Sequence, residues 1–162
     1  MKILTHNNVF LRTHQVPEAK LDLWFVHGFG ASGSSFREVF VSPLAENFNL
    51  YVPDLPGFGA SPFRSDEATM QGSTRILTGL IRDLSGSRPV TLIAHSLGGI
   101  IGTWLCQQLR SQVHGYINIE GNLTKADTFF SGLAARANSA EEFYPFFIRE
   151  IFNKMADDEA LQ

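Results

Sequence analysis

The sequence predicts an α/β fold built on a mainly parallel sheet flanked by helices. Two patterns carry that prediction. Short apolar, β-branched runs alternate with longer segments of helical period. Three of those runs, LWFV at 23–26, VTLIA at 90–94 and YINI at 116–119, are nearly continuous apolar stretches, as expected of strands covered by helices on both faces.

Taken in order, the extended runs cover residues 9–16, 21–28, 49–55, 89–96 and 114–121. The first eight residues add a sixth strand if the N-terminus forms a hairpin. Between the runs, Met70, Leu77, Leu80, Ile81 and Leu84 fall on one face at a 3.6-residue period and predict a helix over 68–85. Ile101, Trp104, Leu105 and Leu109 do the same for 98–111. Toward the end, Phe143, Phe146, Phe147, Ile151 and Met155 form an aromatic stripe on a helix that Ser139 would cap, with Glu141 and Glu142 favourable in its first turn. Ordinary packing is the simplest account of that stripe; a lid over a pocket is the sharper one.

Composition removes several function classes. Fourteen Phe, two Trp and three Tyr in 162 residues carry too much apolar surface for a disordered chain. Thirteen basic against 16 acidic residues, with no basic run, argue against a nucleic-acid surface. Cys106 is the single cysteine, so nothing demands an oxidising compartment. MKILTHNN has only three apolar residues before it turns polar, and no run approaches the ~18 apolar residues of a membrane span. The expectation is a soluble cytoplasmic protein. The histidines and carboxylates show no ligand-like spacing, so no metal is implied, and no cofactor is expected.

The strongest chemical signal is PVTLIAHSLGG at 89–99. A buried strand runs into Ala94-His95-Ser96-Leu97-Gly98-Gly99 and a helix follows at once, the strand–turn–helix context of a nucleophile elbow. Small residues at 94 and 98 suit a turn that forces both flanks against neighbouring backbone. Ser96 there would project its hydroxyl above the sheet, over a helix N-terminus that favours developing negative charge. The bland alternative is a Ser that simply caps the helix.

Two further motifs stand at strand ends: His27-Gly28-Phe29-Gly30, and Asp54-Leu55-Pro56-Gly57-Phe58-Gly59-Ala60-Ser61. Together, HGFG, DLPGFGAS and AHSLGG resemble the α/β-hydrolase superfamily, in the family's order, over most of residues 20–112; Ala94 departs from the usual G-x-S-x-G. The resemblance implies Ser96 as nucleophile and the backbone N–H groups of Phe29 and Leu97 as an oxyanion hole. Gly28 and Gly30 would let that loop come close to substrate. His27 would sit at the rim of the pocket as an orienting residue, with His95 also at the pocket. Asp54 would shape its loop rather than catalyse. Glu120, ending the sixth strand on the Ser96 edge, is a candidate triad acid, or else a pocket-lining carboxylate.

One pattern competes. Gly28-Phe29-Gly30-Ala31-Ser32-Gly33 satisfies G-x-G-x-x-G after a strand, with Asp54 about twenty residues on, the outline of a dinucleotide site. That reading leaves AHSLGG unexplained.

A serine nucleophile needs a base. The family order is Ser, acid, His, and no histidine follows His114 in this chain. The resemblance therefore implies an incomplete α/β-hydrolase fold lacking the last strands: residues 1–123 the N-terminal part of the core, residues 124–162 the start of a helical cap. Such a chain is expected to be an esterase-like acyl hydrolase by ancestry, acting on a small apolar ester-like substrate, and inactive or weak by itself. The alternative is a non-catalytic ligand-binding module. An exposed sixth strand or exchanged C-terminal helices would favour a homo-oligomer.

Overall fold

Two adjacent asparagines turn the chain back on itself near its start. Asn7 and Asn8 both adopt positive φ, 49° and 63°, the backbone of a two-residue hairpin turn whose twist matches its flanking strands. They join β1 (Lys2–His6) to β2 (Val9–His14) in antiparallel register. The computed structural model describes residues 1–121, 139, 141–145 and 148–149. The chain divides into two units, Met1–Leu123 and Thr124–Gln162.

The hairpin is the outer edge of a six-stranded sheet, ordered β1-β2-β4-β3-β5-β6. Its other members are β3 (Asp22–Val26), β4 (Asn49–Pro53), β5 (Val90–His95) and β6 (Val113–Ile119). β2 runs antiparallel to β4, while β4, β3, β5 and β6 are mutually parallel where they pair. The expected mainly parallel sheet is therefore present, with an antiparallel hairpin on one edge, and strand boundaries agree with the sequence reading to within about two residues.

The apolar runs are continuous because alternate residues feed two cores. Trp24 and Val26 of β3, Tyr51 of β4, and Val90, Leu92 and Ala94 of β5 face α2 (Met70–Ser85) and α3 (Leu97–Leu109). Leu23 and Phe25, Leu50 and Val52, and Ile93 face the other way. There a 3₁₀ segment (Gly33–Val41) and the short α1 (Leu44–Asn47) supply Phe36, Val39, Phe40 and Ala45, with Phe48 directly after α1. The sequence pattern predicts no element over residues 33–48. The segment is short, interrupted by non-helical φ/ψ at Phe36, and lacks a sustained 3.6-residue stripe.

Buried polar groups fix the frame at the bottom of the sheet. Trp24 stacks on Tyr51 with ring centroids 4.5 Å apart and donates its indole N–H to Ser85 Oγ at 3.0 Å. Asp22, fully buried, accepts from Asn49 Nδ2 at 2.7 Å and Arg88 Nε at 3.0 Å. α2 begins at Thr69, whose hydroxyl accepts from the Gly72 N–H at 2.9 Å, and ends at Gly86 with φ 57°. α3 ends two residues earlier than the predicted helix and is followed by a 3₁₀ turn over Arg110–Gln112.

In the second unit, the predicted Ser139 cap is formed: its hydroxyl accepts from the Glu142 N–H at 3.2 Å, and residues 141–145 are helical. Phe146, Phe147, Ile151 and Met155 of the aromatic stripe lie outside the described residues. Among the described residues, no helix is long and apolar enough to cross a membrane.

Candidate active site

β5 leaves the sheet at His95, and α3 starts at Leu97. The single residue between them, Ser96, has φ 52° and ψ −121°. No L-residue adopts that conformation cheaply; it costs on the order of 1–3 kcal/mol and persists only where surrounding structure enforces it. The enforcement is visible. The Ser96 N–H donates to the Ile119 carbonyl at 3.1 Å and its carbonyl accepts from the Gly99 N–H at 2.8 Å. Its side chain makes no cap hydrogen bond, so the simple capping reading of Ser96 fails.

The glycines of the turn are dictated by close approach. A Cβ on Gly98 would lie 2.8 Å from the His27 carbonyl oxygen and closer still to that of Val26. One on Gly99 would lie 2.7 Å from Asn118 Oδ1, and one on Gly102 2.8 Å from the Tyr116 ring. These absences let α3 sit directly on β3 and β6. The Gly99 carbonyl then accepts from both the Tyr116 hydroxyl at 2.7 Å and the Thr103 hydroxyl at 2.9 Å. Burial pushes the Tyr116 phenol up from its ordinary range, so it stays a donor. Tyr116 and Thr103 were not singled out in the sequence; a tyrosine among the apolar residues of YINI was the available signal.

The HGFG loop arrives on the same edge. A Cβ on Gly28 would stand 2.9 Å from the Ser96 Cβ and 3.2 Å from His95 Nδ1. Gly28 is therefore needed for close approach to Ser96 itself. Gly30 is required for a different reason: its φ is 71° while the space around it is open. Phe29 is partly exposed and meets Phe58 edge-on at 5.8 Å. Leu97 is the first helical residue, whose N–H has no partner within the helix by geometry.

His27 is not at the rim. It is fully buried, and both ring nitrogens are engaged. Nε2 accepts from the Leu55 N–H at 2.9 Å, which requires Nδ1 to donate to the Gly28 carbonyl at 2.8 Å. Burial lowers its pKa below the ordinary imidazole value, opposed by the hydrogen bond to Gly28. The ring is a neutral strut between the HGFG and DLPGFGAS loops, unable to act as a base. His95 is half-exposed and turns Nε2 toward Glu120 Oε2 at 4.0 Å. Glu120 follows β6 with φ 48°, on the same edge as Ser96, and its side chain is largely exposed.

Asp54 is fully buried and shapes its loop. It accepts from Arg12 Nη1 and the Gly33 N–H, both at 2.7 Å, and from the Ala60 N–H at 2.8 Å. Its backbone carbonyl takes the Ser61 hydroxyl at 2.7 Å. A carboxylate so committed has no room for a ribose hydroxyl. Gly33 also opens a 3₁₀ segment rather than the α-helix a pyrophosphate would need. These two facts overturn the dinucleotide reading. Arg12, at the centre of this network, went unnoticed in the sequence because a lone arginine in a strand carries no motif. Among the described residues, no group of three His, Cys, Asp or Glu is placed to hold a metal.

The family profile of the alpha/beta hydrolase fold matches residues 23–161. The chain belongs to the α/β-hydrolase family. The pimeloyl-[acyl-carrier protein] methyl ester esterase of Aeromonas salmonicida (strain A449) is 31% identical over 100 residues, 60% of this chain and 37% of that protein. The magnesium-chelatase 30 kDa subunit of Rhodobacter capsulatus is 36% identical over 84 residues, 51% of this chain and 29% of that one. This hydrolase chain thus spans about a third of the length of those curated relatives. Among solved structures, the N-acyl homoserine lactonase AidH complexed with N-butanoyl homoserine superposes with a TM-score of 0.70 at 20% identity, covering 91% of this chain and 57% of that one. At that identity the likeness is one of fold.

Proposed function

We propose that this chain carries the nucleophile half of an esterase-like serine hydrolase. Ser96 is the nucleophile, and the N–H groups of Leu97 and Phe29 receive the oxyanion. Developing negative charge there is favoured by the start of α3. The observation that carries the reading is the strained backbone of Ser96, φ 52° and ψ −121°, at the junction of β5 and α3. Strain of that kind is retained where function needs it. The paired rings of Phe29 and Phe58, the former next in sequence to the Gly28 that approaches Ser96, favour a small apolar acyl ester, in keeping with a relative named as a methyl ester esterase.

Glu120 is the candidate acid, since the parallel pairing of His95 with Ile119 puts it level with Ser96. The general base is unassigned among the five histidines. His27 is locked neutral in the interior, His6 contacts Asp83 at 2.9 Å, His14 ends β2, and His114 is the second residue of β6, at the opposite end of that strand from Glu120. His95 faces Glu120. The 162-residue chain by itself is accordingly proposed to be weak or inactive, with residues 124–162 belonging to a cap. Self-association through the β6 edge or by exchanged C-terminal helices, and a cytoplasmic location, are part of the same proposal.

Intact-mass analysis after exposure to a fluorophosphonate, with Ser96→Ala as control, tests it. A single adduct lost in Ser96→Ala establishes an activated hydroxyl and a base within reach. The absence of an adduct on folded protein favours a second reading, a ligand-binding module that keeps the site without turnover. The unassigned base is the observation that supports that second reading.

A further inference from the structure

On the face of α2 and α3 that points away from the sheet lies an open groove of about 570 Å³. Its walls are Arg75 and Arg82 on α2 and Trp104, Gln107 and Gln108 on α3, with Gly79 between the two arginines. Among the described residues no carboxylate lines it, although the chain as a whole carries 16 acidic against 13 basic residues. The Arg82 guanidinium donates to the Gln108 carbonyl at 3.3 Å, and Arg75 is exposed.

Gly79 is the second, independent observation. It stands mid-helix, where glycine is the least favourable residue after proline. A Cβ there would meet nothing within 4 Å. Every other glycine of α2 and α3, namely Gly72, Gly98, Gly99 and Gly102, is forced by a contact inside the chain. Among the described residues Gly79 is not, and its bare backbone leaves the floor of the groove open between the two arginines.

We infer that the α2–α3 groove docks an acidic amphipathic helix of a protein partner. The dimensions fit one. The groove follows α2 from Gln71 to Arg82, three turns or about 17 Å. Arg75 and Arg82 are two turns apart, about 10.5 Å along the axis, the spacing of carboxylates at i and i+7 on the incoming helix. Gly79 between them lets that helix approach the α2 backbone closely. The half-buried indole of Trp104 offers the apolar contact that an amphipathic face needs. Two guanidiniums are too few for a nucleic-acid surface, while the negative charge of the remaining chain rejects acidic partners elsewhere.

The test uses the full chain and a fluorescein-labelled helical peptide of about 18 residues, alanine-rich, with glutamates seven apart beside a leucine stripe. Its twin carries lysine in place of each glutamate. Fluorescence anisotropy at about 50 mM salt is expected to show the acidic peptide binding about tenfold or more tightly than the twin, with the difference shrinking at about 300 mM. Arg75→Glu with Arg82→Glu should weaken it about tenfold, and Gly79→Leu should do so with the circular dichroism unchanged. Gly79→Ala guards against a folding artefact. It should raise the unfolding midpoint by about 2–5 °C while weakening the peptide. Equal binding of the two peptides, indifference to these substitutions, or no binding up to about 1 mM overturns the inference.

Discussion

The Nε2 atom of His27 lies 2.9 Å from the backbone nitrogen of Leu55 and accepts its proton. That bond, with the one from Nδ1 to the Gly28 carbonyl at 2.8 Å, ties together two loops that carry no direct sequence relation. Replacing the ring by a methyl leaves the buried Leu55 N–H without its acceptor and the Gly28 carbonyl with the 3.3 Å bond from the Ala31 N–H, beside an imidazole-sized hole. His27→Ala should cost about 2–4 kcal/mol in urea melts, and no gain of activity should follow from adding free imidazole.

The same bonds fix a pH response. Burial holds the folded-state pKa of His27 below that of the unfolded chain, where the imidazole titrates near 6.5. The unfolded state then binds more protons in acid. Stability from this residue is fully present above about pH 6.5 and is lost as pH falls below it toward the folded-state value. Urea midpoints at about pH 7.5 and 5.5 should fall in the native chain by more than in His27→Ala; equal falls would place the acid sensitivity elsewhere.

Buried Asp54 pairs with the part-buried Arg12 at 2.7 Å, with the Gly33 and Ala60 N–H groups on the same carboxylate. Asp54→Ala removes the acceptor shared by Arg12 and the Gly33 and Ala60 N–H groups, leaves the buried Gly33 amide without a partner, and should cost about 2–4 kcal/mol. Asp54→Asn keeps one carbonyl oxygen as acceptor and should cost less. Chemical denaturation of the two variants checks the order; a reversal would mean that volume, not hydrogen bonding, sets the requirement at 54.

Two glycines of the site should respond to alanine by different amounts for different reasons. Gly98→Ala drives a methyl into the Val26 and His27 carbonyls, and backbone cannot step aside as a flexible side chain can. Gly30→Ala meets open space and carries only the cost of φ 71°, about 1 kcal/mol. Gly98→Ala should lose about 2 kcal/mol or more and displace α3. Thermal melts that rank Gly30→Ala as the worse variant would contradict the geometry.

Sequence patterns revealed what repeats along the chain and missed what closes across it. LWFV reads as a strand covered on both faces because Leu23 and Phe25 serve one core and Trp24 and Val26 the other. AHSLGG, HGFG and DLPGFGAS read as site loops because glycine and small residues mark tight approach. The role of His27 was misplaced, since a histidine preceding a loop looks the same whether its ring faces solvent or spans to Leu55 twenty-eight residues on. Arg12 and Tyr116 leave no sequence signal for the same reason, since each acts through hydrogen bonds to residues distant along the chain, while Thr103 bonds back one helical turn to Gly99, which no motif marks. The 3₁₀ segment after Ser32 gave no periodicity to find, because Phe36 breaks its helical path.

The backbone of Ser96 makes the last prediction, because its strain and its proposed chemistry pull in opposite directions. At φ 52° and ψ −121° any L-side chain is penalised, whereas glycine enters that region freely. Ser96→Gly should therefore raise stability by about 1–2 kcal/mol, and its hydroxyl makes no capping bond whose loss would offset the gain. Ser96→Ala keeps the strained Cβ and should change stability little. Both should abolish any fluorophosphonate adduct. Differential scanning calorimetry of the three proteins separates the terms. A stabilised Ser96→Gly beside an unchanged Ser96→Ala would show that the fold holds a serine where glycine is better, a sacrifice of stability in keeping with use of the hydroxyl. A destabilised Ser96→Gly would instead mean that the turn relies on the Ser96 side chain for its shape, and the functional argument from strain would fall with it.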